Sequence, residues 1–125
     1  MKSLVFSSIL LITVIAVSIG GAIYTSVTLN KLCEQINEEF EECGESCEDI
    51  SYVACDLKSE FERVEPGLSL FINDDELSEM RGYYTDIRSA AVADSYEGAL
   101  TAKSRLVSMI EHLRRLSSFN IDSIF

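Results

Sequence analysis

Apolar and small side chains fill residues 4–27 without a single charge or proline, and beyond them the apolar positions thin out into a spaced pattern. A hydrocarbon layer about 30 Å thick takes about 20 helical residues, so the first stretch is long enough to cross a membrane. From there Leu29, Leu32, Ile36, Phe40 and Cys43 recur at steps of three and four, as do Cys47, Ile50, Ala54, Leu57, Phe61 and Val64. This is the spacing of one helical face. Gly44, Glu45 and Ser46 separate the two stripes; glycine suits a left-handed helix end and serine the cap of the next helix.

Glu65, Pro66 and Gly67 predict a kink or short break, because proline lacks the backbone donor and restricts the residue before it. Asn73 with Glu76 reads as a capping box opening a helix with Leu77, Met80, Tyr84, Ile87 and Ala91 inward. Asp94 with Glu97 repeats that signature before Ala99, Leu106, Met109, Ile110, Leu113 and Leu116. No strand pattern competes. The sequence therefore predicts an all-α chain: an N-terminal transmembrane helix followed by a small antiparallel bundle of about four helices. Residues 1–29 form the anchor and residues 30–125 the helical domain. The apolar tail at residues 119–125 is expected to fold back on the bundle, with a lipid or partner surface as the other reading.

A cleaved signal peptide is the competing view of the first segment, since Lys2 precedes it and Ser18, Gly20 and Ala22 supply small-residue cleavage patterns. Such a chain would be a secreted small helical protein. The apolar run outlasts the roughly 7 to 15 residues of a signal core, which favours an uncleaved anchor. Lys2 and the amino terminus on one side against Lys31 on the other place the N-terminus in the cytoplasm and the C-terminal domain outside.

Composition sharpens this picture. The 125 residues carry a net charge of −11, and residues 34–65 hold twelve acids against Lys58 and Arg63. A nucleic-acid binder would need the opposite sign. The acids Glu38, Glu39, Glu41, Glu42, Glu45, Glu48 and Asp49 lack the ligand order of a calcium loop and read as a solvated face that repels anionic headgroups or meets a basic partner.

Cys33, Cys43, Cys47 and Cys55 flank the turn at Gly44. Ten residues along one helix is about 15 Å, beyond the roughly 7 Å a disulfide allows between Cα atoms. Of the possible pairings, the nested one, Cys43 with Cys47 and Cys33 with Cys55, fits an antiparallel hairpin and predicts a disulfide-stapled domain in an oxidising compartment. Zinc is disfavoured by the absence of a C-x2-C knuckle, and a thiol-redox protein cycling Cys43 and Cys47 is the alternative. His112, the single histidine, stands with Glu111 and Arg114 in no nucleophile motif and reads as a surface residue.

The start MKSLVFSSILLITVIAV, the central LSLFINDDELSEM and the end SRLVSMIEHLRRLSSFNIDSIF resemble a family of short Gram-positive bacterial proteins catalogued as domain of unknown function family 4363. The resemblance implies an N-terminal anchor and a small helical extracytoplasmic domain, with no assigned activity and no catalytic residues. The expectation is thus a membrane-anchored interaction or accessory subunit of the cell envelope, not an enzyme, with no cofactor, metal, nucleic acid or small-molecule substrate. Its partners are the lipid bilayer and a multi-pass membrane protein packed on the small residues Ser18, Gly20, Gly21 and Ala22.

Overall fold

The computed structural model describes the backbone of residues 1–124 and the side chains of residues 1–117. Four helices follow one another: α1 (Lys2–Cys43), α2 (Cys47–Leu68), α3 (Asp74–Val92) and α4 (Tyr96–Ile124). The chain is all-α, as the periodicity predicts. Packing runs round the bundle, α1 on α2, α2 on α3, α3 on α4 and α4 back on α1, which is an up-down-up-down arrangement.

The apolar segment and the first bundle helix are one element. α1 has 42 residues, about 63 Å at 1.5 Å per residue, and passes through residues 29 and 30 without a break. No glycine or proline stands between Gly21 and Cys43 to interrupt it. The first half projects bare: Leu4, Phe6, Leu11 and Ile12 are exposed, and 6 % of the most apolar window is buried. In the second half Gly21, Thr25, Thr28, Leu29, Leu32, Ile36, Phe40 and Cys43 turn inward.

The core is built from the expected stripes. Leu29, Ile36, Ile50, Phe61, Met80, Tyr84, Ile87, Leu106 and Ile110 are almost wholly buried, each aliphatic or aromatic side chain contributing about 1.5 to 3 kcal/mol of transfer free energy. Phe61 and Tyr84 stack at 5.2 Å between ring centroids. Leu116, expected inward, is exposed, whereas Leu68 and Ile72, outside the stripes, are buried.

Two helix ends depart from the sequence expectation. Pro66 lies inside α2, which continues to Leu68; so close to the end, its missing donor removes one bond without stopping the helix. Between α3 and α4, Asp94 takes a left-handed φ of 59°. The Ser95 amide donates to the Ala90 carbonyl at 2.8 Å and the Asp94 amide to Ala91 at 3.0 Å, the pair of bonds of a Schellman ending. Ser95, not Asp94, caps α4, accepting from the Gly98 amide at 3.1 Å. Asn73 does cap α3, accepting from the Asp75 amide at 3.1 Å, and Ser46 caps α2 through the Asp49 amide. The expected docking of residues 119–125 concerns side chains outside those described.

Candidate functional site

The four cysteines do not staple the hairpin. All four are free thiols, and neither Cys43 with Cys47 nor Cys33 with Cys55 is a bonded pair, because the side chains face different neighbours. α1 leans on α4 more than on α2, and Cys33 faces Glu111 and Arg114 of α4. Cys47 lies against Asp94 at the far end of α3. Cys55, about 100° round the helix from the buried Ala54, lines the groove between α2 and α3. Cys43 alone stays between the first two helices, among Asp49, Glu39 and Glu42. The four side chains thus point to different neighbours.

The surroundings make Cys33, Cys43 and Cys47 poor nucleophiles. Burial raises the Cys33 pKa above 9.0, with Glu111 adding to it and Arg114 opposing. Burial and then Asp49 raise that of Cys43, and desolvation and then Asp94 raise that of Cys47. Reactive thiols need the reverse, an electropositive setting that favours thiolate.

Between α2 and α3 runs a groove of about 580 Å³ with Cys55, Lys58, Glu62, Tyr84 and Arg88 on its walls. The Tyr84 phenol hydroxyl is buried with no hydrogen-bond partner among the described residues. His112 is exposed, at the edge of a shallow depression shared with Glu76, Glu79, Tyr83 and Arg105, and Tyr83 there donates to Glu79 at 2.8 Å. Among the described residues no three His, Cys, Asp or Glu side chains converge as a metal cage.

The seven acids from Glu38 to Asp49 named above are all exposed around the α1–α2 turn. That turn stands about 33 Å along α1 from Gly21, at the end of the bundle remote from the bare half of α1. The small residues of α1 divide. Ser18 and Gly20 are exposed, and a Cβ on Gly20 would meet open space; Ala22 is half-buried. Gly21 is buried because the Phe71 ring lies on it, where any Cβ would overlap that ring. No family model matches this chain, no curated protein matches it, and no solved structure matches it.

Sequence reasoning overlooked the α2–α3 turn. Leu70 and Phe71 are exposed there beside α1, with Phe71 6.2 Å from the Tyr24 ring. The signal was present as an uncharged run from Gly67 to Asn73 holding four large apolar residues outside any helical stripe.

Proposed function

We propose that this protein is a single-pass membrane protein whose helical bundle serves as an interaction or accessory subunit at the cell envelope, rather than an enzyme. One observation carries the reading: the apolar half of α1 is exposed along its length yet continues as one helix into a packed bundle. A soluble core helix would be covered. The likeness to family 4363 is kept as part of this proposal, with the same implied plan. The thiol-redox alternative is disfavoured by the raised thiol pKa values.

The partner surface in the membrane is the exposed side of α1 at Ser18 and Gly20, where small residues let a second helix approach closely. Gly21 is already occupied by Phe71, so Gly20→Leu is the clean probe. Gly20→Leu should abolish co-purification of a multi-pass partner from detergent extracts while leaving the melting temperature of the bundle unchanged. Undiminished co-purification would sink that surface.

We read the bundle as lying outside the cytoplasm, an orientation that Lys2 ahead of the apolar segment supports. A second reading, with the bundle inside, draws on the free thiols and on Arg114, which donates to Asn30 at 2.8 Å and so adds a cation beside Lys31. Glu45→Cys puts a thiol on the exposed turn. Labelling of this variant above the wild-type level by a membrane-impermeant maleimide in intact cells supports the exported bundle; labelling only after permeabilisation reverses it.

A further inference from the structure

The bundle meets the bilayer at a second place. From the geometry of the α2–α3 turn we infer that Leu70 and Phe71 insert into the same membrane leaflet that α1 crosses, as a non-spanning wedge beside the anchor. The inference rests on the reading of α1 as a membrane span.

Depth comes first. A hydrocarbon layer needing about 20 helical residues, counted from Leu4, ends near Ile23. Phe71 lies on Gly21, which is two residues inside that limit, and faces Tyr24 at 6.2 Å between centroids. The turn thus sits at the level of the boundary, where Ile23 and Val27 of α1 are also exposed. Leu70 is 76 % and Phe71 45 % exposed, while Leu68 and Ile72 on either side are buried and fasten the turn to the core.

The turn is also chemically fit for a medium that offers no hydrogen bonds. Backbone donors placed in lipid must be satisfied internally. The amides of Ser69, Leu70, Phe71 and Ile72 donate to Glu65, Gly67, Leu68 and Leu68, at 2.8, 3.3, 3.0 and 2.8 Å. Pro66 has no amide hydrogen to satisfy, and the Ser69 hydroxyl donates to the Pro66 carbonyl at 2.7 Å. No charge occurs from Pro66 to Asn73. Charge then returns abruptly with Asp74, Asp75 and Glu76, all acidic, so the contact is apolar in origin and neutral phosphatidylcholine suffices for it. A basic, headgroup-seeking surface would carry the opposite sign.

The chain has no tryptophan, so Leu70→Trp supplies a single reporter at an exposed position. Full-length protein is placed in phosphatidylcholine nanodiscs, without brominated lipid and with lipid brominated at both shallow and deep acyl positions. Val92→Trp, 69 % exposed at the opposite end of α3, is the aqueous reference, and Val14→Trp is the reference within the span. Expected is emission from L70W to the blue of V92W that is lost on bromination, with no enhancement when anionic lipid is added. L70W matching V92W while V14W is quenched overturns the wedge and leaves the anchor standing. A blue shift without quenching assigns the turn to a second copy of the chain and likewise overturns the wedge. An unquenched V14W overturns the anchor and the wedge with it.

Discussion

Tyr84 concentrates much of the energetics of the bundle in one side chain. Its ring stacks on Phe61, and its hydroxyl is buried without a partner among the described residues, a condition that costs about 1 to 3 kcal/mol. Tyr84→Phe should therefore stabilise the fold by about 1 kcal/mol, read as a higher urea midpoint. Phe61→Ala, which empties the other half of the stack, should cost about 3 to 5 kcal/mol. Burial, followed by the neighbouring Cys33, pushes the Tyr84 pKa far above 10.0, and burial raises Cys33 and Cys43 above 9.0. These groups hold their protons more tightly folded than unfolded, so the unfolded chain is the one that ionises first. Stability should then fall as pH rises past about 9 and further past about 10, where the unfolded thiols and phenol titrate. Denaturation midpoints at pH 8 and pH 10.5 check the sign, and Tyr84→Phe should flatten the upper part of the slope.

Elements were legible where one face decides them. The stripes from Leu29 to Phe40, Ile50 to Phe61, Leu77 to Ala91 and Ala99 to Leu113 are all core, because a period of 3.6 leaves no other way to cover them. Helix rotation was not legible. Axial spacing along the chain can be counted for Cys33 and Cys55, but which way each points depends on how α1 divides its contacts between α2 and α4, and nothing local to the cysteines encodes that division. The joint between α3 and α4 shows the same limit at smaller scale. Asp94 and Ser95 are both good caps, and only the Schellman bonds to Ala90 and Ala91 choose between them. Ser95→Ala should cost about 1 kcal/mol. Asp94→Gly should hold or raise the melting temperature, since glycine takes a left-handed φ without penalty; a loss like that of Ser95→Ala would return the cap to Asp94.

At the scale of the whole molecule the two ends of the bundle have opposite character. The α1–α2 turn carries seven exposed acids, and the α2–α3 turn beside the anchor exposes Leu70 and Phe71. Neither polarity was visible from composition, which averages them, although both runs stand in the sequence. On the proposed membrane-spanning reading, the unbroken α1 ties these ends to the span as a lever. A transmembrane helix tilted by about 20° would swing a point about 33 Å further along the same helix sideways by about 11 Å. Change in bilayer thickness, which alters tilt, would be converted by this stiff arm into lateral travel of the acidic end. Inserting one residue after Val17, ahead of the first buried position at Gly21, would turn that end by about 100° about the arm, re-aiming it without altering a single side chain it presents.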